Sequence, residues 1–171
     1  MLPLAHIGIT LAIFYATTII FPNIRRYINY WYVVVGSLLP DIIDKLIGRL
    51  LFEHIFASGR IFGHTLLFVI ILTITGIYFF RKRKDARILI LAGGSFIHLL
   101  LDRMWETPQT FLWPLFGWEF PRGTTTYRSF PDYLSALYSF DLGTMTYTLT
   151  TELLGIILLI SFIIIKLYNK N

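Results

Sequence analysis

No cysteine occurs among the 171 residues. Disulfides and thiolate metal sites are therefore excluded. Charge is scarce as well: Asp, Glu, Lys and Arg make up 15% of the chain, where a soluble domain carries about a quarter. The start, Met1-Leu2-Pro3-Leu4-Ala5-His6, lacks the basic residues that open a secretory signal, so no cleavable leader is expected. There is no internal repeat and no low-complexity segment. Apolar sequence takes the place of what is missing. Hydrophobic residues reach 56%, and the mean hydropathy is +0.66. That surplus requires lipid as a solvent, and the length allows one integral membrane domain over 1–171. A net charge of +5 and a pI near 9.6 would suit nucleic acid, but the basic residues flank apolar runs, so no nucleic-acid partner is expected.

A membrane helix needs roughly 20 mostly apolar residues. About five stretches qualify, near 3–21, 24–40, 61–80, 88–102 and 147–167. The expected fold is an all-α polytopic membrane bundle. Between the second and third spans, Leu46, Ile47, Leu50, Leu51 and Ile55 recur at helical spacing, interrupted by Lys45, Arg49 and Glu53. This reads as an amphipathic helix in the interface, reached after a break at Pro40; the alternative is one long kinked span through Phe52. Residues 104–146 form a long loop whose Trp105, Trp113, Trp118, Phe111, Phe116 and Phe120 suit a membrane interface.

Short loops rich in Lys and Arg stay in the cytoplasm. Placing Arg81-Lys82-Arg83-Lys84 inside fixes the rest by alternation: N-terminus outside, Arg25 and Arg26 inside, the long loop outside, Lys166 and Lys170 inside. Nine basic residues and one acid, Asp85, then lie inside; six basic and nine acidic residues lie outside.

The same topology carries His6, Asp41, Asp44, His64, His98, Asp102 and Glu152 to the outer face, although none was used to orient the chain. Asp41 and Asp44 are three apart and His98 and Asp102 four apart, so each pair shares a helix face. Ionisable groups in a membrane are costly and point at a partner or cavity. Neighbouring carboxylates repel unless a cation or proton lies between them. A divalent metal answers both, and mixed His and Asp donors suit Zn, Mn or Fe better than Mg or Ca. Each residue also has a plainer role available. Asp41 can be an N-cap, Asp44 can pair with Lys45 or Arg49, His64 can cap a helix, and Asp102 can pair with Arg60 or Arg103. His54 and Glu53 suit a surface, and Glu152 can simply mark the start of a span. What plain roles do not account for is three of four histidines sharing a face with four carboxylates.

The stretches around these residues, His6 before Gly8, Gly36-Ser37-Leu38-Leu39-Pro40-Asp41-Ile42-Ile43-Asp44, Arg60-Ile61-Phe62-Gly63-His64-Thr65-Leu66, Gly94-Ser95-Phe96-Ile97-His98-Leu99-Leu100-Leu101-Asp102 and Leu112-Trp113-Pro114-Leu115-Phe116, resemble in order and spacing the YdjM-like family of membrane-bound metal-dependent hydrolases. That family is in turn distantly similar to zinc-dependent phospholipase C. The resemblance implies that His6, Asp41, Asp44, His64, His98 and Asp102 bind metal, with Zn favoured over Mn or Fe and two or three ions expected.

From these readings follows an enzyme that cleaves a phosphate ester of a lipid or lipid-linked substrate at the outer face. Asp41 or Asp44, whichever is not a ligand, is the expected general base. Arg60, Arg103 and Arg128, with Arg122, are the candidates for holding phosphate oxygens. A small ion- or proton-coupled transporter is the competing reading, but it expects polar residues through the whole membrane depth, and 66–80 holds only Thr73 and Thr75. A non-enzymatic membrane scaffold would tolerate alanine at all six positions.

Overall fold

A computed structural model of the chain describes residues 2–51, 58–121 and 142–168. Among these the regular structure is entirely helical. Helix α1 spans Pro3–Ile20, begins with a proline in its first turn and stops before Pro22. A 3-10 turn, Pro22–Tyr27, leads to α2, Tyr30–Lys45. Asn29 starts α2 by accepting the Trp31 N–H at 3.0 Å. A π-helical turn, Leu46–Leu51, follows. Helix α3, Leu66–Arg83, is capped by Thr65, which accepts the Phe68 N–H at 3.0 Å, and ends on Lys84 at φ 56°. Helix α4 is Arg87–Leu101. A 3-10 turn at Met104–Glu106 and the short α5, Pro108–Phe111, lead into turns that reach residue 121. Helix α6 is Leu142–Tyr168.

Helix α1 packs on α6 and α2, and α4 lies between α2 and α3. Among the described residues two helical stretches, against about five expected spans, are long and apolar enough to cross a membrane by length and composition, Pro3–Ile20 and Thr146–Tyr168. Only 6% of the second is buried within the molecule, so its Ile and Leu side chains need an apolar solvent. Helix α4, with 15 residues, is shorter than that, and α3 closes on three consecutive basic residues.

Several expectations change: the second helix begins at Tyr30 rather than near Ile24, and the stretch 104–146 expected as a loop holds two short helices and the start of α6. Helix α2 does not break at Pro40; it runs through it to Lys45. Proline has no N–H for the carbonyl four residues back, here Gly36. That carbonyl accepts the Ser95 hydroxyl of α4 at 3.2 Å, and the next one, Ser37, faces His98 Nδ1 at 2.7 Å. Helix α4 thus satisfies the backbone that proline releases. The close approach depends on Gly36 and Gly94: a Cβ on Gly94 would lie 2.8 Å from the Gly36 carbonyl carbon. The third helix also starts later than the apolar run, at Leu66, for a reason that lies in the site.

The basic segments meet at one end. Tyr27 packs on Phe80 at 5.1 Å, Arg87 lies 6.0 Å from the Tyr32 ring, and Lys166 lies 4.2 Å above Tyr30. Asp85, the acid at this end, bonds Arg87, whose guanidinium holds its carboxyl down at about 2. The histidines lie at the other end, about 21 Å away by the rise of α1 from His6 to Ile20.

Candidate metal centre

Four parts of the chain bring donors together: the start of α1 (His6), the last turn of α2 (Asp41), the segment before α3 (His64), and the end of α4 (His98 and Asp102). His6, His64 and His98 are each at most 1% exposed. A buried histidine without partners would be costly, so each ring nitrogen must be accounted for.

His64 Nδ1 bonds Asp44 Oδ2 at 2.7 Å, and His98 Nδ1 bonds the Ser37 carbonyl oxygen at 2.7 Å. Both partners are acceptors, so each Nδ1 carries the proton and each Nε2 presents its lone pair. Those two Nε2 atoms face each other at 3.3 Å. Around them lie His6 Nε2, 3.1 Å from Asp102 Oδ1, then Asp102 Oδ2, 3.6 Å from His64 Nε2, and Asp41 Oδ1, 3.7 Å from the same nitrogen. The His6 ring stacks on His98 at 4.0 Å. Two donor triads result, His6, His98 and Asp102, and Asp41, His64 and His98, each with its atoms within 4.8 Å. Both use His98 Nε2, and one imidazole lone pair serves one ion. They are overlapping halves of one site, and the described residues supply no separate triad for a second or third ion.

The donor set passes a geometric test. Tetrahedral Zn at about 2.0–2.1 Å from its ligands sets two ligand nitrogens about 3.3 Å apart, which is the His64–His98 spacing. Paired lone pairs at that distance repel unless a cation or a proton lies between them.

Asp44 stands elsewhere. It is fully buried, and its oxygens accept the N–H groups of Ile61 at 2.7 Å, Gly63 at 2.6 Å and His64 at 3.2 Å, besides His64 Nδ1. Lys45, a partner expected for it, bonds Asp41 instead, and the side chain of Arg49 lies outside the described residues. Asp44 faces the back of His64 rather than the donor cluster. This grip also holds 61–64 out of α3, because its N–H groups are already bound. Gly63 is required there: a Cβ would lie 2.7 Å from the Pro40 carbonyl oxygen. Asp41, within α2 rather than at its start, bonds Lys45 at 2.8 Å and is the most open donor, 23% exposed.

Glu152 does not join the cluster. Its two carboxylate oxygens accept the Leu4 N–H at 3.2 Å and the Ala5 N–H at 2.9 Å, capping α1, whose own N-cap residue, Leu2, has no side-chain acceptor. Arg60 reaches the site, donating from Nη2 to Asp102 at 2.9 Å. Arg103 instead pairs with Glu106. Arg122, Arg128, Glu53 and His54 lie outside the described residues. The sequence reading did not single out Ser95 or the Ser37 carbonyl; the signal available was Pro40, which frees a carbonyl that something must satisfy. Thr10 was also passed over. Its hydroxyl and His6 Nδ1, one turn apart, are buried with no hydrogen-bond partner among the described residues.

A sequence model of the family described as YdjM inner membrane protein matches residues 1–171. No curated protein matches, and no solved structure does.

Proposed function

The chain belongs to the YdjM inner membrane protein family, and we propose that it is a membrane-embedded, metal-dependent hydrolase acting on a phosphate ester of a lipid or lipid-linked substrate. The observation that carries this reading is the pair of Nε2 lone pairs 3.3 Å apart, flanked by Asp41, Asp102 and His6. His6, His64, His98 and Asp102 are the donors that would hold one divalent ion, Zn first by donor chemistry and spacing, with Asp41 beside them. Such an ion supplies hydroxide near neutral pH and offsets charge developing on phosphoryl oxygens.

The residues of the chain do the rest. Asp44 and the Ser37 carbonyl fix the tautomers of His64 and His98. Asp41 is the candidate general base, because Asp44 has no acceptor capacity to spare. It takes a proton from the attacking water as the new P–O bond forms, and gives that proton to the leaving alkoxide as the ester P–O bond breaks. Arg60, 46% exposed beside Asp102, and Lys45, 56% exposed beside Asp41, put two cations at the rim for phosphate oxygens.

A lipid substrate is supported by what adjoins the rim. Phe62, two residues before His64, packs edge-on against Trp113 and Phe120, and Trp118 is 78% exposed, an aromatic group suited to the membrane interface. In this reading α1, α2, α3, α4 and α6 all span, the N-terminus and site face outward, and the C-terminus is cytoplasmic.

The test is phosphate or phosphoalcohol release from a panel of phosphatidic acid, phosphatidylglycerol and polyprenyl phosphates by the purified chain in detergent. Release from at least one, abolished by chelation and lowered at least ~100-fold in Asp41→Asn, supports the proposal. Metal-loaded protein inert toward the whole panel overturns it.

A further inference from the structure

The end of the bundle opposite the histidines holds an open cavity of about 570 Å³ between the 3-10 turn, the start of α2 and the last turns of α6. Its lining combines Arg25 and Lys166 with Asn29, Tyr30, Trp31 and Phe162. No acidic residue lines it. Among the described residues neither cation has a carboxylate partner, and Asp85, the acid at this end, is bound to Arg87.

The arrangement is more organised than loose surface charge. Lys166 lies 4.2 Å above the Tyr30 ring and 5.8 Å from Phe162, one turn earlier on α6, so its ammonium is held over an aromatic floor. Tyr30 and Phe162 are themselves in contact, with ring centroids 4.9 Å apart. Asn29 uses its amide oxygen to cap α2, and that use leaves its N–H donors. Trp31, 69% exposed, stands at the mouth, as tryptophan does at headgroup depth. Ile28 and Phe162 supply apolar lining, and the adjoining turns of α6 expose Ile163 and Leu167.

We propose that this cavity is a binding site for the phosphate headgroup of an anionic phospholipid. Two cations free of carboxylates and an amide donor meet the phosphate, while the aromatic and apolar wall below takes the glycerol and the first part of the acyl chains. The site is separate from the metal centre and does not depend on the hydrolase reading. Basic cavities between helices on the cytoplasmic side favour such headgroups, and the cluster of basic segments puts this end there.

The experiment is native mass spectrometry of the full chain released from detergent, titrated with phosphatidylglycerol or phosphatidylcholine. One tight phosphatidylglycerol adduct is expected, with phosphatidylcholine weaker. Arg25→Gln and Lys166→Gln should each weaken that adduct about fivefold, and Lys166→Arg should keep most of it. Arg81→Gln, which removes the same charge from the same end outside the cavity, should leave it unchanged. Circular dichroism melts confirm that each variant is folded. Equal weakening by Arg81→Gln would reduce the effect to net charge and overturn the proposal, as would equal binding of both lipids. Glycerol 3-phosphate that displaces the lipid at equal concentration would also overturn it, assigning the cavity to a soluble phosphate.

Discussion

Asp41 and Asp44 lie one turn apart on α2 and serve different chemistry. Asp41 keeps an oxygen toward His64 and His98, whereas Asp44 spends both of its own on 61–64 and His64. Asp44→Asn should therefore weaken metal binding about 10–100-fold without removing a ligand, read by competition with a chelating dye. An unchanged affinity would show that Asp44 does not orient His64. For Glu152→Ala the expectation is the reverse: loss of about 1 kcal/mol of stability, because the α1 N–H groups lose their acceptor, with metal content retained in the folded protein. Metal loss from folded Glu152→Ala would place Glu152 among the ligands. At this scale the sequence pointed to most of the residues that the structure brings together, because histidines and carboxylates are rare in apolar spans and costly there. It could not rank them. Asp41 and Asp44 share spacing and neighbours, and only the arrival of residues 61–64 from elsewhere in the chain distinguishes them. Glu152 was ambiguous for the same reason: its partners are backbone groups at the far end of the sequence.

Helices α1, α4 and α6 were legible as long apolar runs bounded by Pro22, Arg87 and Lys166. Two of the places where the reading differed involve backbone hydrogen bonds made by distant side chains. Pro40 is a valid signal for a break, but Ser95 of α4 satisfies the Gly36 carbonyl it frees, and His98 bonds the next carbonyl, Ser37. His64 precedes α3 because Asp44 binds the N–H groups there, and Thr65 caps the helix in its place. The Ser95–Gly36 bond couples the helix irregularity to the site, since His98 lies one turn further along α4 from Ser95. Ser95→Ala should leave the Gly36 carbonyl unpaired and cost about 1–3 kcal/mol, read as a lower melting temperature in detergent. A melting temperature equal to wild type would show that α2 passes Pro40 without help from α4.

For the whole molecule, the division into a basic end and a His/Asp end followed from alternation of the charged loops, and the packing of Tyr27 on Phe80 and Lys166 over Tyr30 is in keeping with it. The absence of cysteine makes the orientation directly measurable. Glu119, beside the aromatic group at the site's rim, and Lys84, at the basic end, are both exposed. With single cysteines placed at these two positions, a membrane-impermeant maleimide applied to spheroplasts should label Glu119→Cys and spare Lys84→Cys until the membrane is opened. The opposite pattern would turn the site to the cytoplasm.

Capture of a cation by His6, His64, His98 and Asp102 is tested most directly by elemental analysis of the chain purified in detergent without added metal. One ion of Zn, Mn or Fe per wild-type chain, falling below about a tenth of that in folded His98→Ala, is the predicted result. A wild-type chain that stays metal-free after incubation with each of the three would mean that the two Nε2 atoms share a proton, and the account of the site would fail.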